Sequence, residues 1–155
     1  TGVMDADALN LLALNPEKCQ QLREITPHGE AARLLGCHTA EIESDRLLAV
    51  RNLVAQYGGV AVLKGAGTLI ADRQGQMAIA DVGNAGMASG GMGDVLSGII
   101  GGLLGQKLSL YDAACAGCVV HGAAADRVAA RQGIRGMLAS DLLPEIPYYV
   151  NPELA

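Results

Sequence analysis

The segment Val60-Ala61-Val62-Leu63-Lys64-Gly65-Ala66-Gly67-Thr68 carries the clearest architectural signal in the chain. Its first four residues form a short apolar run without polar alternation, as expected of a strand covered on both faces in a mainly parallel sheet. Two more strand-like runs follow, Thr68 to Ala71 and Met77 to Ala80, joined by the hairpin-compatible Asp72-Arg73-Gln74-Gly75. On the amino-terminal side, Thr39 to Glu43 can cap a helix running to about Tyr57, with Ile42, Leu47, Val50, Leu53 and Val54 near helical spacing and Gly58-Gly59 ending it. Earlier still, Arg23 to Thr26 reads as a short strand stopped by Pro27, with a short helix from about Gly29 to Leu35. Gly2 to Asp5 reads as a strand end, followed by a helix from Asp7 or Ala8 to about Leu14. After the strands, helices are expected from Gly93 to Leu104 and from Leu110 to about Ala130. A short piece near Ala139 to Leu143 is closed by Pro144 and Pro147. Strands alternating with helices, without repeats or low-complexity linkers, predict one α/β layered domain over residues 1–155.

Composition narrows the function classes. The chain has 155 residues, half of them apolar, which is enough for one sizeable core. Its 21 glycines are scattered among aliphatic residues without a collagen period, so they mark turns and close packing. With 11 basic against 16 acidic side chains and a net charge of −5, nothing favours a nucleic-acid backbone as partner. No apolar run reaches the ~20 residues of a membrane span, and Thr1 to Asp7 lacks the start of a secretion signal. A soluble, cytoplasmic protein is expected.

Two glycine-rich segments carry the chemistry. The stronger is Asn84-Ala85-Gly86-Met87-Ala88-Ser89-Gly90-Gly91-Met92-Gly93-Asp94, leading into the helix that begins Val95-Leu96-Ser97-Gly98. Glycines let a backbone approach a ligand, and the first turn of a helix presents unpaired N–H groups at the positive end of its dipole. Such a site favours a phosphate or a developing oxyanion. The plain alternative is a structural turn with Asp94 as helix cap, although Gly86, Gly90, Gly91 and Gly93 together exceed what a cap requires. Gly98, Gly101 and Gly102 would let other backbones approach this helix on all sides. The second segment is Lys64-Gly65-Ala66-Gly67-Thr68, at the carboxyl end of the buried strand, where ligands collect in open α/β sheets. Lys64 can offset phosphate charge while the Gly65 and Gly67 amides contact it. The segment is neither a P-loop nor a dinucleotide fingerprint, and by itself it also fits a solvated lysine beside a turn.

The remaining polar residues say less. His28 lies between strand and helix, a place open to ligand contact or to a capping role. His38 and His121 read as structural, and Glu41, Glu43 and Asp45 as a solvated helix face. Cys115 and Cys118 form a Cys-x-x-Cys within a buried-helix composition and, with Cys19 and Cys37, read as core thiols. No spacing suits a metal site, so a divalent cation would arrive with a nucleotide.

Together these segments resemble the carboxyl-terminal domain of the bacterial NAD(P)H-hydrate dehydratases, a branch of the ribokinase-like superfamily. The matching stretches are Asp5 to Asn10, Thr26-Pro27-His28 with Gly29-Glu30, Val62 to Thr68, Asn84 to Gly98, and Gly136 to Leu142. The resemblance implies a three-layer αβα fold with a mainly parallel central sheet. It also implies ADP- or ATP-dependent dehydration of hydrated NADH or NADPH with Mg2+: phosphoryl transfer to the ring hydroxyl, then loss of phosphate. Lys64, Gly65, Ala66, Gly67, Thr68 and Gly93 would bind the nucleotide. His28 and Asp94 would contact the hydrated dinucleotide, and Asp94 stands where related kinases place the catalytic base. Family members read Thr-Pro-His-Pro-Gly-Glu, whereas here Gly29 follows His28 directly. The family domain is also longer on its amino-terminal side, so an amino-terminal part is expected to be missing. Homo-oligomers and fusion to an NAD(P)H-hydrate epimerase go with the family. A small-molecule kinase of the same superfamily and a non-catalytic nucleotide-binding fragment remain the competing readings.

Overall fold

The computed structural model describes residues 3–4, 24–26 and 28–151. The helix expected from Asp7 or Ala8 lies outside the described residues, as does Cys19. Val3 and Met4 belong to neither helix nor strand.

Four strands, β1 (Glu24–Thr26), β2 (Val60–Leu63), β3 (Thr68–Asp72) and β4 (Met77–Ala80), form one sheet in the order β1-β2-β3-β4. β1 and β2 pair in parallel, with Thr26 opposite Leu63, whereas β2, β3 and β4 form an antiparallel meander. The expected parallel arrangement therefore holds at β1–β2 and gives way beyond it. The cause is connection length: a parallel crossover needs about a dozen residues, and only residues 64–67 and 73–76 join these strands. In the second connection the Asp72 carboxylate accepts hydrogen bonds from the amides of Gln74 and Gln76, at 3.0 and 2.8 Å, which fixes the hairpin.

Both faces of the sheet are covered. Alternation in β2 sends Ala61 and Leu63 to one core and Val60 and Val62 to the other, and β3 divides Leu69 and Ala71 from Ile70 in the same way. The first core is completed by α1 (His28–Leu35), α2 (Thr39–Ser44) and α3 (Arg46–Tyr57). The second is completed by α4 (Met92–Gly105) and α5 (Leu110–Gln132). Helices on both faces of a sheet give the three layers that the family resemblance implies. Leu53, Leu63, Ile70 and Val62 are essentially inaccessible to water, each contributing about 1.5–3 kcal/mol of burial.

Three expectations change. The helix expected from Thr39 to Tyr57 is two helices, broken at Asp45 (φ −146°, ψ 83°), whose carboxylate caps α3 by accepting from the Leu48 amide at 2.9 Å. Glu41 likewise accepts from the His38 amide at 2.8 Å, so Glu41 and Asp45, exposed with Glu43 as expected, also serve as helix caps. Pro147 opens the short helix α6 (Pro147–Val150) instead of closing the piece near Ala139 to Leu143, because proline at the first helical position lacks only an N–H that would go unpaired there. Finally, among the described residues nothing packs against Gly98, Gly101 and Gly102: α4 buries one stripe, Met92, Leu96 and Ile100. The close backbone approach lies on α5 instead, where a side chain at Gly122 would run into the Val82 backbone, 2.9 Å away.

Candidate functional site

The carboxyl ends of the parallel strands β1 and β2 share one edge of the sheet, and the Lys64 motif begins there. Lys64 directly follows β2 and is half-buried; Gly65 and Ala66 are exposed, Gly67 is half-buried, and Thr68 opens β3. His28 is the first residue of α1, two positions past Thr26, the strand partner of Leu63. The backbone thus sets His28 and Lys64 beyond neighbouring strand ends; the side chain of His28 lies outside the described residues.

The loop 64–67 has its carbonyls tied to the protein. The Arg46 guanidinium donates to the carbonyls of Ala66 (2.6 Å), Gly67 (2.9 Å) and Leu63 (3.3 Å), and the Thr68 hydroxyl donates to that of Gly65 (3.3 Å). Among the described residues the amides of Gly65, Ala66 and Gly67 make no hydrogen bond, so this loop turns its donors outward.

The second motif has a similar character. Gly91 is the N-cap of α4 in the left-handed region (φ 83°), and no side chain caps this helix. A side chain at Gly91 would also crowd the Ala139 methyl at 3.2 Å. Asp94 is exposed in the first turn, three residues past the Gly91 N-cap, and makes no capping hydrogen bond, so the plain role of helix cap does not fit it; Gly93 beside it is half-buried. Among the described residues the Ser89 hydroxyl is buried without a partner, an unsatisfied group that a bound anion could satisfy. The start of the loop is held from α5. The Asp126 carboxylate accepts from the Gly83 amide (2.8 Å) and from the Asn84 side chain (2.9 Å), while the Asn84 side-chain oxygen accepts from the Gly86 amide (3.0 Å).

His121 on α5 feels residues of both motifs. It is 6% exposed, and among the described residues its Nε2 has no hydrogen-bond partner. Burial, reinforced by the charge of Lys64, pulls its pKa down to about 4, while a hydrogen bond with the Met92 backbone acts in the opposite direction. One buried imidazole therefore senses both the end of β2 and the start of α4. One turn earlier, burial pushes the Cys118 thiol up to about 12, and it raises Cys115 as well, so neither is an activated thiolate. Arg46, Asp126 and His121 escaped the sequence analysis as site residues. Their partners lie 17 to 43 residues away in the chain, and no local pattern marks them.

Among the described residues no group of three or more His, Cys, Asp or Glu side chains is arranged to hold a metal ion, and no helix is long and apolar enough to cross a membrane. Open backbone donors, an unpartnered hydroxyl, a lysine and an exposed carboxylate instead suit a phosphorylated ligand and a proton transfer beside it.

The family model for NAD(P)H-hydrate dehydratase matches residues 2–148. The chain belongs to that family. Among dehydratase-family relatives, it is 71% identical over 151 residues to the bifunctional NAD(P)H-hydrate repair enzyme Nnr of Escherichia coli, covering 97% of this chain and 29% of that protein. It is 47% identical over 157 residues to the ADP-dependent (S)-NAD(P)H-hydrate dehydratase of Neisseria meningitidis, covering 96% of this chain and 53% of that protein. The ADP/ATP-dependent NAD(P)H-hydrate dehydratase of Bacillus subtilis, co-crystallised with ATP/Mg2+ and soaked with CoA, superposes with a TM-score of 0.82 at 28% identity. That match covers 95% of this chain and 54% of the other. The fold is the ribokinase-like one. The chain spans about 30% of the length of its bifunctional relatives.

Proposed function

We propose that this dehydratase-family chain carries the nucleotide site, and the general base beside it, for ADP- or ATP-dependent dehydration of hydrated NADH or NADPH. The observation that carries the proposal is the pair of open donor sets, residues 65–67 and the uncapped start of α4, linked through His121 with Asp94 exposed beside them. The names of the E. coli, N. meningitidis and B. subtilis relatives supply the reaction.

The nucleotide supplies the phosphoryl group, and Mg2+ arriving with it screens the phosphate charge. In this reading Lys64, with the amides of Gly65, Ala66 and Gly67, holds the phosphates, and Thr68 braces the loop from below. The amide of Gly93 and its neighbours at the start of α4 stabilise the charge on the transferred group. Asp94 takes the proton from the ring hydroxyl as its oxygen bonds to phosphorus and the terminal phosphate bond of the nucleotide breaks. Departure of phosphate, with loss of a proton from the adjacent ring carbon, then restores the double bond of the reduced ring. His28, at the neighbouring strand end, contacts the dinucleotide. A cytoplasmic setting and partnership with an epimerase activity go with this function, and the bifunctional repair enzymes among the relatives support the latter.

The test is recovery of the reduced-ring absorbance from hydrated NADH on addition of ADP or ATP with Mg2+. Recovery is expected, and Asp94→Asn should slow it by about 10²–10⁴-fold while leaving nucleotide binding intact. If the E. coli relative restores the absorbance under the same conditions and this chain does not, the proposal fails. If Asp94→Asn proceeds at the unsubstituted rate, Asp94 is not the base.

A further inference from the structure

We infer that Arg46 is a positioning residue for nucleotide binding: its guanidinium shapes the loop 64–67 by holding three carbonyls, and so aims the loop amides at the phosphates. The inference rests on the nucleotide role proposed above for this loop.

Arg46 is the first residue of α3 and is half-buried. Its two terminal nitrogens reach Ala66, Gly67 and Leu63 at 2.6, 2.9 and 3.3 Å. A planar trans peptide points its C=O and its N–H in opposite directions. Fixing the Ala66 carbonyl on Arg46 therefore turns the Gly67 N–H away from it, and the Thr68 hydroxyl on the Gly65 carbonyl does the same for the Ala66 N–H. Without these ties the glycines would leave the loop free among many conformations, since glycine populates both signs of φ. Gly65 and Gly67 indeed stand at φ 149° and 65°.

Three acceptors on two nitrogens require the flat, fixed fork of a guanidinium; a lysine ammonium carries the charge without the fork. Among the described residues the buried Arg46 Nε has no partner, so the side chain is held in place although one of its own donors is unsatisfied. That cost is consistent with a geometry kept for the loop. Asp45 fixes the start of α3 from which Arg46 projects, by accepting from the Leu48 amide.

The experiment compares the unsubstituted chain with Arg46→Lys and Arg46→Gln by calorimetric titration of ADP with Mg2+, alongside thermal melts and titration of hydrated NADH. Arg46→Lys should weaken ADP by about tenfold or more while melting near the unsubstituted chain and keeping its affinity for the hydrate. Arg46→Gln should weaken ADP further. Equal ADP affinity in Arg46→Lys overturns the inference, as does a loss that merely follows the fraction unfolded or falls equally on ADP and hydrate. Failure of the unsubstituted chain to bind ADP refutes the nucleotide role of the loop itself, and the inference with it.

Discussion

His121 shows how a single residue ties a site to its fold. A histidine has a pKa near 6.5 in the unfolded chain and about 4 here. Between those values the unfolded chain binds a proton that the folded one does not, so stability falls as pH drops from about 6.5 toward 4. Above that window this group has no effect. The shift corresponds to a loss of about 3 kcal/mol at most. Urea denaturation at pH 7 and pH 5 should show this slope, and His121→Gln should flatten it. Lys64, the glycine-rich turn and Asp94 were legible in the sequence because their signals are local: a strand end, a run of small residues, a helix start. Arg46 and His121 were not. Arginine reaching forward 17 to 21 residues to three carbonyls, and a histidine bonded to Met92, become visible only once the chain has folded.

The element that organises the site is α5. Asp126 holds the backbone at Gly83 and the Asn84 side chain, Gly122 admits the Val82 backbone, and His121 meets Met92. Successive turns of one helix thus grip the loop before α4 at its start and at its end. Asp126→Ala should free the Gly83 amide, seen as hydrogen exchange at least about tenfold faster there, and should weaken nucleotide binding with little change in the protection of β2 and β3. The helix itself was legible in the sequence, but its grip was not, because small residues such as Gly117 and Gly122 look alike whether they face open space or another backbone. The same ambiguity misplaced the close packing onto α4. The break at Asp45 was legible in principle, since an aspartate three residues before a helical amide is a ready cap, but the apolar spacing from Ile42 to Val54 masked it.

Across the molecule, the three layers follow from period-two alternation in β2 and β3, while the antiparallel half of the sheet follows from connections too short to cross over. The carboxyl-terminal segment is locked onto the same α5 by Glu145, 3% exposed, which accepts from Arg127 Nε at 2.6 Å and Arg131 Nη1 at 2.5 Å. Arg127 also stacks over the Tyr148 ring at 4.0 Å. Glu145→Ala strands two arginines that remain half-exposed, so the expected cost is about 1–3 kcal/mol, read as a lower Tm with ADP affinity unchanged for the folded protein. Two separate stretches of chain, 64–68 and 89–94, are linked in the structure through His121, and their union as one phosphate site is the central claim of the proposed function. The most direct measurement is titration of the 15N-labelled chain with ADP and Mg2+, following the backbone amide resonances. The amides of Gly65 to Thr68 and of Gly91 to Asp94 should shift together along one saturation curve. Shifts confined to one stretch, or absent from both while ADP binds elsewhere, would contradict it.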